Sequence, residues 1–210
     1  MNIGIIGSGN VGGTLGKRWA ANGHRVVFSS RAPEKLQPLV EEAGHAARAA
    51  SPTEAAASSD VVLVATPWPA TEEALKSAGD LTGKIVVDAT NPLLPSLDGL
   101  STGCTDSAGE QVARWAPGAK VVKALNTVGA NVMADPKFPE RRVAMFYCGD
   151  DASAKKTVAG LIGELGFEPL DAGPLTQARL LEPFALLWIT LALKHGYGRD
   201  IGFEFLRRRA

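Results

Sequence analysis

The sequence has no excess of either charge: 22 Lys plus Arg stand against 22 Asp plus Glu. No global field draws such a chain to nucleic acid or to an anionic membrane, so any anion must be held locally. Cysteine is scarce, and the only two, Cys104 and Cys148, are far apart and outside any metal-ligand spacing, which suits a reducing cytoplasmic setting. The longest apolar run, Phe184 to Leu193, is half of the ~20 residues that a membrane span needs. MNIGIIGSG at the N-terminus lacks a basic n-region and is interrupted by glycines, so it reads as a strand rather than a signal peptide, and a soluble protein is expected. There is no Ser/His/Asp set, no paired-carboxylate motif and no metal spacing, and so no catalytic side chain and no metal are expected. The three histidines read as structural: His24 follows a helix-ending glycine, His45 sits in a surface-like turn and His195 lies near the end of the last helix.

What the 210 residues do contain is alternation. Apolar runs separated by amphipathic stretches are the βαβ pattern of a parallel sheet covered on both faces. Strands are expected at Asn2–Ile6, Arg25–Ser29, Val61–Ala65, Lys84–Asp88, Lys120–Ala124 and Val143–Cys148, with a short one in 45–50. Helices are expected at 10–22, 33–43, 52–58, 69–79, 106–116 and 151–165, several closed by a glycine cap at Gly23, Gly44, Gly79 or Gly166. The least regular parts are Asn91–Thr105 and Asn126–Arg141, loops that follow strands, where ligands of open α/β sheets collect. After Gly173 comes a long helix, Leu175 to about Lys194, apolar on all sides in its second half and therefore expected to be buried in the fold or against a partner. The fold class is α/β: a Rossmann-like, doubly wound, mostly parallel sheet with a C-terminal helical extension.

Gly7-Ser8-Gly9-Asn10-Val11-Gly12 is a complete G-x-G-x-x-G between a strand and a helix. Gly7 permits the tight turn, Gly9 admits a pyrophosphate against the backbone, and Gly12 lets helix and strand pack closely. About twenty residues on, where NAD-binding folds place an acidic residue on the ribose, the second strand ends in Ser29, Ser30 and Arg31, with Lys35 one turn further. Hydroxyl donors and a guanidinium suit a 2′-phosphate, so the expected ligand is NADP(H) rather than NAD(H). The plain alternative is that Arg31 and Lys35 are surface charges paired with Glu34.

The chain resembles the NADPH-dependent reductases of the deazaflavin coenzyme F420, whose nucleotide-binding domain also occurs in membrane ferric reductases. The likeness rests on GSGNVGGTLG, SRAPEK, TPW at Thr66–Trp68, KVVKALNTV at Lys120–Val128, CGDDASAKKTV at Cys148–Val158 and LDAGPLTQARLLEP at Leu170–Pro183. It implies hydride transfer between NADPH and the deazaflavin. Ser8, Ser30, Arg31 and Lys35 match the family's 2′-phosphate pocket and Gly9 to Val11 its pyrophosphate turn. Ala65, Thr66, Pro67, Asn91, Asn126 and Val128 are then expected around the nicotinamide, with Trp68, Pro92, Leu93, Asn126 and Thr127 around the second ring. The archaeal members carry a histidine beside the deazaflavin where this chain has Asn126, and their loop differs at Asn91-Pro92. The chain is thus divided into an NADP(H)-binding core, 1–128, and an extension, 129–210, that completes the acceptor cleft and a homodimer interface.

Other residues carry plain readings beside sharper ones. Trp68 stacks on a ring or belongs to the core. Asp88, at a strand end, ties down Ala89–Asn91 by hydrogen bonds rather than donating a proton. Glu182, within an apolar helix, pairs with Arg179 or lines the cleft, and Arg207-Arg208-Arg209 is a solvated terminus. Two rival functions remain: a reductase of flavin, quinone or a small carbonyl on the same fold, and a non-catalytic NADPH sensor. A carbonyl acceptor would need a proton donor for which no Tyr/Lys pair or histidine is evident.

Overall fold

The computed structural model describes residues 1–139 and 141–208, so Arg209 of the basic tail lies outside the described residues. The strands are β1 Asn2–Ile6, β2 Arg25–Ser29, β3 Ala47–Ala50, β4 Val61–Val64, β5 Ile85–Asp88, β6 Lys120–Lys123, β7 Lys137–Phe138, β8 Arg141–Arg142, β9 Ala144–Gly149 and β10 Glu168–Asp171. The helices are α1 Asn10–Ala21, α2 Gln37–Ala43, α3 Pro52–Ala57, α4 Thr71–Ala78, α5 Ala108–Trp115, α6 Ala130–Ala134, α7 Ala152–Glu164 and α8 Ala178–Lys194.

Eight strands form one sheet in the order β10-β9-β6-β5-β4-β1-β2-β3, while β7 and β8 make a small separate hairpin. Every pairing in the large sheet is parallel except that of β6 with β9, which touch only through Val122–Gly149 and Lys123–Cys148. Short Val- and Ile-rich strands such as VVLV of β4 are buried throughout, because both faces are covered. Alternate residues face the two layers. Ile3, Ile5, Val61 and Leu63 pack with Leu15 and Trp19 of α1 and Leu161 of α7. Ile6, Val62 and Val64 pack with Leu75 of α4, Val112 of α5 and Leu181 of α8. From β1 the chain builds outward to β2 and β3 on one side and to β4, β5 and β6 on the other, which makes the carboxyl ends of β1 and β4 the switch point where ligands bind in such sheets.

The expected elements are present with small shifts. The helix expected at 33–43 is divided into a 3-10 turn at Pro33–Leu36 and α2, which has Pro38 in its first turn. The helix expected from 106 begins at Ala108, because the Ser107 hydroxyl caps it by accepting from the Glu110 N–H. Three elements were not anticipated: α6, the β7–β8 hairpin and β10. The last carries Pro169 and two acidic residues and sits at the sheet edge, where proline is tolerated.

In α8 one face, with Leu181, Glu182, Ala185, Trp188 and Ala192, is buried in the chain, whereas Leu180, Leu187 and Leu193 stay exposed. The tail after α8 folds back over it. The Trp188 indole donates to the Ile201 carbonyl, Phe203 stacks on Phe184, and the Ala144 N–H of β9 donates to the Phe203 carbonyl.

Candidate nucleotide-binding site

The glycine turn does what its spacing requires. Gly7 has a φ of +98°, and a Cβ there would lie 2.7 Å from the Ala65 carbonyl, so the turn is pressed onto the end of β4. A Cβ on Gly12 would lie 2.1 Å from the Gly7 carbonyl oxygen, which fixes how closely α1 can approach β1. Gly9 is different: nothing lies within 4 Å of the place its Cβ would take, so the missing side chain leaves open space rather than room for protein packing. Gly9 is also the N-cap of α1 without any side-chain cap, and the first-turn N–H groups are left for an anion.

Two cavities open on either side of this turn. One, of about 310 Å³, is lined by Gly7, Ser8, Ser29, Ser30, Arg31 and Thr66. Its far wall is formed by Pro52 with Ala70, Glu73, Ala74 and Ser77. Of these, Ala70, Ala74 and Ser77 are small and fall at helical spacing, beside Glu73 of the same helix and Pro52 of α3. The sequence held that signal, but it reads equally as ordinary helix packing. Arg31 is exposed at the rim, and neither Arg31 nor Lys35 makes an ion pair among the described residues, so the pairing with Glu34 is absent. Lys35 does not line the cavity. The hydroxyls differ in what they can offer. Ser30 accepts from the Ala32 N–H and keeps its own hydrogen free. Ser29 is a correction, because it is buried and its hydrogen goes to the Ile5 carbonyl at 2.8 Å. Ser8 likewise donates to the Ser29 carbonyl at 3.1 Å. Each hydroxyl has one hydrogen, so these two brace the strand ends rather than serving as donors to a phosphate.

The second cavity, of about 550 Å³, lies over the ends of β4 and β5 and is lined by Gly9, Asn10, Val11, Thr66, Pro67 and Trp68, and opposite them by Ala89, Thr90, Asn91 and Leu93. Thr66 belongs to both cavities. Trp68 lines the cleft and is partly buried against the core, with its ring 5.2 Å from that of Trp115. The Asp88 carboxylate ties down the following loop as expected, accepting from the Thr90 N–H at 2.9 Å and the Thr90 hydroxyl at 2.7 Å.

Beneath this loop is a cluster that sequence reasoning missed. Lys123, wholly buried at the end of β6, donates to Asp88 at 2.9 Å, to Glu182 at 2.9 Å and to the Thr90 carbonyl at 2.6 Å. Burial pulls the ammonium pKa down, but the carboxylates of Asp88 and Glu182 more than offset this and hold it above the ordinary lysine range. Glu182 also accepts the Ala108 and Gly109 N–H groups at the start of α5. Burial raises its carboxyl pKa, yet all its hydrogen-bonding neighbours are donors, which favours the ionised form. Its expected partner was Arg179; that arginine instead binds Glu110 through two hydrogen bonds. The pairing was misassigned because β6 and α8 are remote in sequence.

Asn126 follows Leu125, whose φ of +61° is a left-handed conformation that costs a branched residue of order 1–3 kcal/mol. Its amide donates to the Asn91 side chain at 3.0 Å and to the Leu181 carbonyl at 3.3 Å, and Asn91 donates back to the Asn126 carbonyl. Two acceptors fix which end is nitrogen, and the buried Asn126 Oδ1 is left with no partner. Asn126 lines neither cavity, and three other expected contacts are likewise not brought to the cleft. Thr127 is buried with its hydroxyl on the Met145 sulfur, Val128 belongs to the core, and Pro92 is buried with its carbonyl bound to Ser101.

The comparisons with known proteins fit this geometry. A family described as NADP oxidoreductase, coenzyme F420-dependent, matches residues 2–92. A crystal structure from Arthrobacter sp. FB24, assigned provisionally as an F420-dependent NADP-reductase, is 35% identical, covers 99% of this chain and 100% of its own, and superposes with a TM-score of 0.91. This chain belongs to the F420-dependent NADP oxidoreductase family. The F420-dependent NADP reductase of Methanothermobacter thermautotrophicus is 29% identical over 93% of this chain and 90% of its own. The rat metalloreductase STEAP3 is 34% identical over 88% of this chain, which spans only 36% of that longer protein. The family's chemistry is NADP-dependent oxidoreduction, and its α/β fold with a mostly parallel sheet is the one described above. Among the described residues no helix is long and apolar enough to cross a membrane, and no cluster of metal-binding side chains occurs.

Proposed function

We propose that the chain binds NADPH along the two joined cavities and transfers hydride between it and the deazaflavin coenzyme F420. The observation that carries this reading is the continuity through Thr66 from a pocket rimmed by unpaired Arg31 to a cleft walled by Trp68, Leu93 and the Thr90 loop. The adenosine and its 2′-phosphate take the first cavity, the pyrophosphate lies against Gly9, and the nicotinamide enters the second. The residues fit such a group: Gly9 leaves open space where the diphosphate passes, and Asn126, whose buried Oδ1 has no partner, is bonded to Asn91 of the cleft wall. NADPH supplies the hydride. The protein's task is to hold two planar rings face to face and exclude water, which requires no titrating side chain. The family relatives named for F420 support that acceptor, and flavin is the alternative, because Asn126 replaces the histidine expected beside the deazaflavin with an uncharged amide.

The exposed Leu180, Leu187 and Leu193 of α8 favour a homodimer with this helix at its interface, and the segment 129–210 then serves the acceptor side in a cytoplasmic enzyme. A sedimentation run showing only monomer at micromolar concentration would refute the dimer. The function is tested by titrating NADPH and NADH, then following anaerobic NADPH oxidation with F420, with FMN and with no acceptor. Tight NADPH binding with turnover only on F420 is expected. Turnover on FMN alone would move the acceptor to flavin, and binding without any turnover would leave a sensor.

A further inference from the structure

The ions of the buried Lys123 cluster line neither cavity, and the cluster is costly, since each desolvated ion gives up its hydration. A core of apolar side chains would hold β5, β6, α5 and α8 together more cheaply. The cluster's geometry indicates what it holds. Thr90 is 3% exposed, and each of its polar groups ends on this cluster: the N–H and hydroxyl on Asp88, the carbonyl on Lys123. The three hydrogens of the Lys123 ammonium are met by three acceptors, Asp88, Glu182 and Thr90, so the ion cannot turn without breaking one of them. Residue 91 is tied in the same way, through the reciprocal amides of Asn91 and Asn126. Ala89, Thr90 and Asn91 together form the cleft wall that faces the glycine turn. The side chains that meet Lys123 come from β5 and α8, and they are anchored by the α5 N-terminus and the β5 loop.

We propose that Lys123 is a positioning residue, which through Asp88, Glu182 and the Thr90 carbonyl fixes the wall on which the nicotinamide ring rests, and so sets the rate of hydride transfer rather than nucleotide affinity. This rests on the NADPH reading given above. It separates two properties of one ligand. The affinity lies in the glycine turn and the Arg31 pocket, which Lys123 does not touch, while the mobility of the nicotinamide ring lies with the wall.

Three variants test it: Lys123→Met, the uncharged cluster Asp88→Asn/Lys123→Met/Glu182→Gln, and Thr90→Val, which removes one tie and leaves the ions in place. Each is measured for thermal midpoint, for NADPH affinity, for the fluorescence lifetime of bound NADPH, and for single-turnover reduction of F420. In the uncharged variant folding is retained and affinity stays within about threefold. The bound lifetime falls toward that of free NADPH, and hydride transfer slows by about 100-fold, the loss expected for a ring displaced by about 1 Å. Thr90→Val gives a smaller fall in lifetime at an unchanged melting point, and it decides the matter if both Lys123 variants fail to fold. Wild-type lifetime and rate in a folded variant of either kind would overturn the proposal, leaving the cluster as a structural tie. If the wild type binds NADPH with a lengthened lifetime but does not reduce F420, the acceptor assignment fails while the lifetimes still decide the role of Lys123. If the wild type binds no NADPH, the functional reading falls and takes this proposal with it.

Discussion

The cleft wall carried by β1 and β2 is built from residues close in sequence and leaves polar groups facing outward, whereas the wall carried by β5 and β6 is built from remote residues whose polar groups are turned on one another. In the first, Ser8 reaches Ser29 across 21 residues, and Arg31 and the uncapped start of α1 remain free. In the second, Lys123 reaches Asp88 across 35 residues and Glu182 reaches Ala108 across 74, and of the polar side-chain atoms discussed there only Asn126 Oδ1 is left over. On the proposed reading, the first wall awaits a highly charged ligand, with its costs deferred until binding. The second is internally satisfied apart from that one atom, as the proposed seat of a neutral ring would need to be. On the proposed reading, recognition and alignment fall to different kinds of construction.

The sharpest way to break that contrast is to remove a partner from the satisfied wall. Glu182→Ala leaves Lys123 with one carboxylate and strips the Ala108 and Gly109 N–H groups of their acceptor, so a stability loss of about 3–5 kcal/mol is expected in urea unfolding. A loss as small as that of a surface pair would mean that the wall is not rigid. On the open side, Arg31→Ala should weaken NADPH binding by about 1.5–3 kcal/mol while leaving NADH and the melting temperature nearly unchanged. Calorimetric titration with both nucleotides checks this, and equal losses for both would remove the 2′-phosphate assignment. Between the two stands Asn126→Ala. It should slow F420 reduction by ~10-fold, about 1.4 kcal/mol in the barrier, with NADPH affinity changed much less and no new pH dependence, as stopped-flow at saturating NADPH would show. Arg179→Ala sharpens the contrast from outside the cleft. Hydrogen bonding to the Arg179 guanidinium holds the Glu110 carboxyl below its usual range, so this partly exposed pair contributes stability above the unfolded carboxyl value of about 4.3 and loses it as pH falls through the lower folded value. A small loss of stability in the variant is expected at neutral pH, and it should vanish in acid. Thiol labelling has the least consequence. Exposed Cys104 should react in the folded protein, while Cys148, buried with its thiol pushed up to about 12, should react only after denaturation.

The same contrast explains what could be read from the sequence. The glycine turn was legible because each of its jobs selects one residue type, and the second strand's end was legible because an expected carboxylate was replaced by a guanidinium. Asp88 was correctly assigned to its loop because the bond spans two residues. Ser29 was read as a free donor because nothing local reveals that the Ile5 carbonyl takes its hydrogen. Lys123 was hidden in KVVKALNTV, which reads as an apolar strand bounded by surface lysines. A signal was nevertheless there: Lys120 and Lys123 are an odd number apart, so they point to opposite faces of a sheet covered on both sides. With Glu182 isolated in an apolar helix, a buried lysine and a buried glutamate each lacked a partner, and pairing them required only the fold.

The reach of that ion cluster also orders events in time. The turn at Gly7, α1 and β2 can associate once the first thirty or so residues of the chain are free, since their contacts are local and loop closure costs them little. Lys123 can settle beside Asp88 after β5 and β6 pair, but its third partner, Glu182, lies within α8 and becomes available only when nearly the whole chain has been made. During synthesis the glycine-turn side can therefore form well before the cluster is complete, and in a nascent chain halted before α8 the Lys123 ammonium should hold Asp88 and the Thr90 carbonyl while lacking its third acceptor.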